Sequence, residues 1–142
     1  MTIAAILAGK GREVVTIDAA TTIGAVVTLL AERRIGAVPI VDGGTVIGIF
    51  SERDVIRCVA QHGAGALDRP VREGMTAPAV TVEPQDPVIG ALSLMSRRRI
   101  RHLPVLDGGT LVGFVSIGDL VKFRIDRIEA EASAMREYIT QA

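Results

Sequence analysis

Hydrophobic positions recur with two different periods along the chain, and together they predict both helices and strands. The helical spacing i, i+3, i+4, i+7 occurs twice, at Ile23, Val26, Val27 and Leu30 and again at Val88, Ala91, Leu92 and Met95. Short apolar runs typical of strands lie around these helices, at residues 14–17, 38–41, 46–50 and 80–82. Asp-Gly-Gly turns at 42–44 and 107–109 indicate that hairpins follow each helix.

The whole pattern repeats after 65 residues. When residues 35–57 are aligned with 100–122, nine of the 23 pairs are identical and seven of the other 14 exchange one aliphatic residue for another. We interpret the chain as two β-α-β-β-α units, residues 1–69 with a Gly/Ala-rich linker and residues 70–142. Because a unit of this size is marginal alone, we expect an α+β fold in which the copies pack with pseudo-twofold symmetry and leave a cleft between them.

The last helix of each copy follows a serine. Ser51 is expected to cap a helix that runs to about His62, and Ser116 to cap a longer C-terminal helix. The longer helix carries apolar residues spaced 4, 3, 4, 3 and 4 apart, which are Val121, Ile125, Ile128, Ala132, Met135 and Ile139. This seam either packs against its own domain or forms a self-association surface, and we expect a homodimer.

Composition narrows the class of protein. The 142 residues are 49% hydrophobic, which excludes a disordered chain, and the formal net charge is zero. With three Phe, one Tyr and no Trp, nucleic-acid binding is disfavoured. The lone Cys58 is expected to be a packed apolar residue, and no zinc cluster can be built. No secretion signal or membrane span is found, so we expect a cytoplasmic protein without membrane insertion.

The sharpest polar feature is a duplicated Ser-x-x-Asp pair, Ser51 with Asp54 and Ser116 with Asp119. One interpretation is a capping box at the start of a helix. The other is a ligand site, because a carboxylate beside a hydroxyl can hold a ribose diol, and Gly48 and Gly113 would permit close approach of another molecule. We favour the ligand site.

A second polar feature is present in one copy only. Arg101 and His102 enter the second-copy strand where the first copy has Gly36 and Ala37. Guanidinium and imidazolium groups there can bind phosphate oxygens through charge-assisted hydrogen bonds, so the cleft is expected to be asymmetric.

Catalytic chemistry finds no support in the sequence. No hydroxyl or carboxylate has an evident general base, and Gly9-Lys10-Gly11 lacks the spacing of a Walker loop. We therefore expect no enzyme activity, no catalytic cofactor and no metal.

These motifs resemble a tandem pair of CBS (cystathionine β-synthase) domains, also called a Bateman module. The resemblance rests on Ile-x-x-x-Pro, the Asp-Gly-Gly turn, Gly-h-h-Ser-x-x-Asp with h apolar, and Gly74-Met75-Thr76. It implies a regulatory module that binds adenosine compounds such as AMP, ADP, ATP, NAD(H) or S-adenosylmethionine. It also implies a regulated protein, which this chain would meet in trans.

The resemblance implies two sites. In one, Ser51 and Asp54 hold the ribose, and Arg101 with His102 approaches the phosphates. The base would lie against Ala79 and Val80, and Arg53 stands beside Asp54. In the other, Ser116 and Asp119 hold the ribose and Val14 and Val15 lie near the base.

We therefore predict a stand-alone sensor of energy or redox state that binds adenosine nucleotides. The first alternative is a dimeric protein interaction module with empty clefts, in which the Ser-x-x-Asp pairs are only caps. The second, an RNA-binding accessory using residues 97–102, is disfavoured by the zero net charge.

Overall fold

A computed structural model describes residues 1–141, and within them five α-helices and five β-strands are formed. The helices are α1 (Ile3–Lys10), α2 (Ile23–Arg33), α3 (Glu52–His62), α4 (Val88–Arg98) and α5 (Ile117–Gln141). The strands are β1 (Ile17–Asp18), β2 (Ala37–Asp42), β3 (Thr45–Ser51), β4 (His102–Asp107) and β5 (Thr110–Ser116). Short 3₁₀ helices at Gly63–Asp68 and Val71–Glu73 occupy the predicted linker and its continuation.

Each of the two copies contains one small sheet. One has the order β1-β2-β3, and the other pairs β4 with β5. The two hairpins pair in equivalent registers, with Ala37 opposite Ser51 and His102 opposite Ser116, and the register of each shifts at the same point. The α+β fold and the tandem repeat predicted from the sequence are confirmed.

The predicted first strands of the two copies, 14–17 and 80–82, were largely wrong. In the first copy only Ile17–Asp18 pairs with β2, and in the second copy Val82 makes a single parallel bridge to Val105. Val82 donates to the carbonyl of Pro104 and accepts from the amide of Leu106. The preceding rung of such a ladder would need the amide hydrogen of Pro104, which proline lacks. Val80 therefore stays outside the sheet.

Helix α1 was missing from the predicted β-α-β-β-α unit. Its buried residues Ile3, Ile6 and Leu7 lie at i, i+3 and i+4, a spacing too short to stand out in the sequence. The helix does not pack with the copy that follows it. It joins the core of the second copy, and its amides at Ile3 and Ala4 donate to the carbonyls of Asp86 and Pro84.

The segment after the linker likewise packs with the copy that it does not precede. Val71 and Met75 pack into the core of the first copy, around Ile23, Val26 and Phe50. Each core is thus completed by a segment that precedes the other copy in the chain. The division of the chain at residues 69 and 70 stays a prediction.

Most of helix α5 is exposed. Leu120 is its buried residue, and every described residue from 125 to 141 is exposed. None of the helices within residues 1–141 is both long enough and apolar enough to cross a membrane.

Candidate functional site

A cleft of about 260 Å³, here called the first cleft, opens between the two copies. It is lined by Gly36, Ile49, Ser51, Glu52, Arg53, Asp54, Arg57, Thr76, Pro78, Ala79, Val80, Arg99, Ile100, Arg101 and His102. All seven residues that the sequence assigned to one site therefore lie around this cavity. The β3–α3 junction provides one wall and the unpaired segment before Val82 provides another.

Asp54 is the buried charge of this cleft, with 4% of its side chain exposed. Its Oδ2 accepts hydrogen bonds from the amide and hydroxyl of Ser51, at 2.8 and 3.1 Å. Its Oδ1 accepts one from the Thr76 hydroxyl at 2.9 Å and pairs with the Arg57 guanidinium at 2.8 Å. The carboxylate is fixed in orientation by three residues, Ser51, Thr76 and Arg57, and a ligand hydroxyl at Oδ1 would share or replace the Thr76 and Arg57 contacts.

Cationic side chains dominate the rest of the first cleft. Four arginines line it against two acids, Glu52 and Asp54. Arg53 donates from its guanidinium to the carbonyl oxygen of Arg99, at 3.4 Å, and so joins α3 to the end of α4. This excess of positive charge suits an anionic ligand.

A second cleft of about 450 Å³ lies at the pseudo-equivalent place. It is lined by Lys10, Glu13, Val14, Val15, Arg34, Ile35, Gly36, Ala37, Val38, His102, Phe114, Ser116 and Asp119. The four residues assigned to a second site, Val14, Val15, Ser116 and Asp119, are brought together here. Charges are balanced in this cleft, since Lys10 and Arg34 stand against Glu13 and Asp119.

Asp119 is more open than Asp54, with 27% of its side chain exposed. Its Oδ2 accepts from the Ser116 amide at 2.8 Å and from the Lys10 ammonium at 2.6 Å. Burial raises the pKa of the Asp119 carboxyl, but hydrogen bonds from Lys10 and Ser116 and the charge of Lys10 outweigh burial, so the pKa lies below its ordinary value. Asp119 is therefore a carboxylate at neutral pH.

His102 lies between the two clefts and lines both. A Cβ added at Gly36 would lie 3.4 Å from its ring, and the ring stacks on Phe114 with centroids 5.7 Å apart. Burial lowers the pKa of the imidazole, the nearby Lys10 lowers it further, and Asp119 and Glu52 oppose this only in part. An anion near His102 would favour its protonation.

Both Ser-x-x-Asp pairs do form capping boxes. The Ser51 hydroxyl accepts from the Asp54 amide at 3.4 Å, and that of Ser116 accepts from the Asp119 amide at 3.1 Å, while each aspartate accepts from the amide of its serine. The capping and ligand interpretations are compatible, because the bond from the serine amide uses Oδ2 of each carboxylate and not Oδ1. Oδ1 of Asp54 contacts Thr76 and Arg57 instead.

The role predicted for Gly48 and Gly113 was wrong. A Cβ at Gly48 would lie 2.7 Å from Met75 Sδ and 2.8 Å from the Thr76 carbonyl oxygen. A Cβ at Gly113 would lie 2.6 Å from the side chain of Leu7. These glycines make room for the chain segment that completes each core, not for a ligand.

Several cleft residues were missed by sequence reasoning. Arg57 had a readable signal, because it lies three residues after Asp54 on the same helix face. Thr76 lies in the quoted Gly74-Met75-Thr76 motif, but only the fold shows that its hydroxyl reaches Asp54. Lys10 was considered only as part of Gly9-Lys10-Gly11, which lacks the spacing of a Walker loop, and it reaches Asp119 across 109 residues of sequence.

Other candidate chemistry is limited. Cys58 is buried with its Sγ 4.0 Å from the Gly74 carbonyl oxygen, in agreement with a packed apolar role. Within residues 1–141, no three His, Cys, Asp or Glu side chains gather closely enough to hold a metal ion.

Comparison with known proteins supports the arrangement. The CBS domain-containing protein YhcV of Bacillus subtilis is 35% identical to this chain over 109 residues, which cover 76% of each chain. The crystal structure of the CBS-domain protein ATU1752 from Agrobacterium tumefaciens superposes with a TM-score of 0.84 at 38% identity, covering 87% of this chain and 99% of that one.

Two similar structures contain adenosine compounds. The CBS domain protein PAE2072 from Pyrobaculum aerophilum, solved with AMP, is 34% identical with a TM-score of 0.74, covering 84% of this chain and 89% of that one. The CBS domain pair of protein MJ0100, solved with 5′-methylthioadenosine and S-adenosyl-L-methionine, is 25% identical with a TM-score of 0.79, covering 89% and 98%. The family model for the CBS domain matches residues 11–61 and 70–126. The chain therefore belongs to the CBS-domain family and contains a tandem pair of these domains.

Proposed function

We propose that this chain is a regulatory module that binds an adenosine nucleotide, AMP, ADP, ATP or NAD(H), between its two CBS domains and thereby senses energy or redox state. The observation that carries the proposal is the composition of the first cleft. One cavity holds an oriented carboxylate, Asp54, together with Arg101 and His102 from the other copy. A nucleotide presents a diol and an anionic phosphate, which are the two groups that such side chains bind.

The relatives support the adenosine class. AMP in one similar structure and two adenosyl thio compounds in another share only the adenosine part. The choice among adenosine compounds rests on charge, because the four arginines of the first cleft favour a phosphorylated one.

The apolar segment around Ala79 and Val80 suits the base. These two residues line the first cleft and remain outside the sheet, so their backbone amides and carbonyls are not used by a neighbouring strand. A purine can contact the apolar side chains and hydrogen-bond to this backbone at the same time. Val14 and Val15 provide the corresponding segment in the second cleft.

Regulation follows from the position of the clefts between the copies. A ligand that contacts both copies shifts their relative arrangement by as much as its affinity for the two arrangements differs. The module has no catalytic role in this account. It acts as a homodimer in the cytoplasm and passes the change to a partner protein in trans.

A second candidate function is a ligand-free dimeric interaction module. It is favoured by the protein contacts of both aspartates, since Arg57 and Thr76 bind Asp54 and Lys10 binds Asp119. In that case the polar groups of the clefts would serve stability alone.

A ligand panel separates the two. AMP, ADP, ATP, NAD, NADH and S-adenosylmethionine are tested by thermal shift and calorimetry, with GTP as the control. A ligand present at about a hundred times its dissociation constant stabilises the fold by roughly 2.7 kcal/mol, a readable rise in melting temperature. Binding of an adenosine nucleotide but not GTP is expected. If none of these compounds shifts the melting temperature, the interaction module is the better account.

A further inference from the structure

The apolar seam of α5 is exposed along its whole length. Its five large residues, Val121, Ile125, Ile128, Met135 and Ile139, are between 42% and 66% exposed. The face is free even at Val121, where the helix still packs on the second copy through Leu120 on another side. A second helix can therefore approach along the entire seam.

The outer part of this helix has little to stabilise it within one chain. Residues 125–141 are all exposed, so no tertiary packing supports these 17 residues. Isolated helices of about this length are marginal in water. A stripe of exposed aliphatic residues on such a helix is typical of an interface.

Charged residues flank the seam on both sides. In heptad terms, Ile125, Ala132 and Ile139 are a positions and Val121, Ile128 and Met135 are d positions. The flanking g positions are then Arg124, Glu131 and Tyr138, and the flanking e positions are Lys122, Glu129 and Arg136.

A parallel pairing with a second copy brings opposite charges together. In parallel coiled coils, a g residue faces the e residue of the next heptad on the partner. Arg124 then faces Glu129 and Glu131 faces Arg136, and twofold symmetry doubles both pairs. Glu131 also contacts Arg127 of its own helix at 3.4 Å, a long exposed pair that leaves its carboxylate open to the partner.

An antiparallel pairing of the same seam brings like charges together. In that arrangement e faces e and g faces g. Lys122 then faces Arg136 of the second copy, and Glu129 and Glu131 each face the same residue of the second copy. Like charges directly opposite one another are destabilising. The charge pattern thus favours the parallel orientation.

We propose that α5 pairs with α5 of a second copy as a parallel two-stranded coiled coil along Val121 to Ile139. The proposal rests on the homodimer of the proposed function and specifies its geometry. Both CBS pairs would lie at the same end of the coiled coil, joined to it directly through the Ser116–Asp119 turn that borders the second cleft.

Cysteine cross-linking tests the orientation on the full chain. In a parallel pair, the two copies of Ile139 meet, so Ile139→Cys should give a disulfide-linked dimer under mild oxidation. In an antiparallel pair, they are about 27 Å apart at 1.5 Å per residue, and Ile139→Cys would link only to Val121→Cys in a mixture. The native chain is the control, because Cys58 is 4% exposed.

Light scattering on the native chain and on Ile128→Glu completes the test. Ile128 is 50% exposed, so glutamate there leaves the core intact and should convert a dimer to a monomer. A native monomer, or cross-linking only between positions 139 and 121, overturns the proposal. Calorimetry with AMP on the Ile128→Glu chain reports nucleotide binding separately, so a failure of pairing and a failure of the ligand site are distinguishable.

Discussion

The ammonium nitrogen of Lys10 lies 2.6 Å from Oδ2 of Asp119 and 2.7 Å from the carbonyl oxygen of Phe114. The first helix of the chain, α1, thus places a cation beside the cleft carboxylate of the last helix, α5. In the first cleft, Arg57 makes the matching contact, because it bridges Asp54 Oδ1 and the Gly74 carbonyl oxygen. Each cleft aspartate is held by one cation that also binds a backbone carbonyl.

Releasing Lys10 should strengthen nucleoside binding in the second cleft. Lys10→Gln removes a competitor for the Asp119 carboxylate, and a pair this exposed is worth at most about 1 kcal/mol, so adenosine affinity there should rise by roughly twofold to fivefold. The pKa of Asp119 should rise as well, which carboxyl NMR measures. Lys122→Gln on α5, the helix that carries Asp119, is the control. Unchanged adenosine affinity in Lys10→Gln would show that Lys10 does not compete.

Replacing Asp54 and Asp119 should lower the free energy of unfolding by different amounts. In Asp54→Asn, one oxygen becomes an NH₂ group that faces donors from Ser51 or from Thr76 and Arg57, in a buried position. We expect a loss of about 1–3 kcal/mol in the free energy of unfolding, measured by urea denaturation. Asp119→Asn, with more than a quarter of the side chain exposed, should lose less than about 1 kcal/mol. Equal losses would contradict the contact pattern.

Adding a methyl group at Gly48 should destabilise the fold. The new Cβ would meet the backbone oxygen of Thr76 at 2.8 Å, so the segment that completes the first core must move. We expect Gly48→Ala to cost about 1–3 kcal/mol, as overpacking does. Gly9→Ala is the matched control, because a Cβ there meets open space within α1 and helix propensity favours alanine. A Gly48→Ala chain as stable as Gly9→Ala would refute this account of Gly48.

The titration of His102 should make stability depend on pH. Since the pKa of His102 in the folded chain lies below its ordinary value of 6.5, the unfolded chain takes up the proton first as pH falls. Stability should therefore decrease as pH falls through 6.5 toward the folded-state pKa. His102 should contribute at most about 1.4 kcal/mol per pH unit to the slope of the free energy of unfolding against pH. Urea unfolding between pH 7.5 and 5 measures this slope, and His102→Gln should lack the contribution. An identical slope in His102→Gln would rule this out.

The sequence predicted the fold well wherever the two copies could be compared. The Asp-Gly-Gly hairpins and the capping boxes at Ser51 and Ser116 depend on local chemistry that is visible in a few residues. The first strand of the second copy was overextended because the cause of its ending, Pro104, lies on the partner strand. Helix α1 was missed because its buried face is complete only against the other copy.

The cleft residues show the same division. Asp54 was found because it lies in a repeated motif. Arg101 was found because it differs from Gly36, the corresponding residue of the first copy. Thr76 and Lys10 were not assigned to their aspartates, because those contacts cross 22 and 109 residues of sequence. Contacts of this kind depend on how the copies exchange their completing segments, which no local pattern specifies.

The most direct test of nucleotide binding in the first cleft compares AMP with adenosine by calorimetry on the native chain, on Arg101→Gln and on Arg98→Gln. Arg101 lines the cleft and is exposed, whereas Arg98 lies on α4 outside both clefts and serves as the control. A charge-assisted hydrogen bond to phosphate contributes about 1.5–3 kcal/mol, so the native chain and Arg98→Gln should bind AMP at least about tenfold more tightly than adenosine, and Arg101→Gln should lose that preference. Equal affinities for AMP and adenosine in the native chain, or no binding of either, would contradict the account.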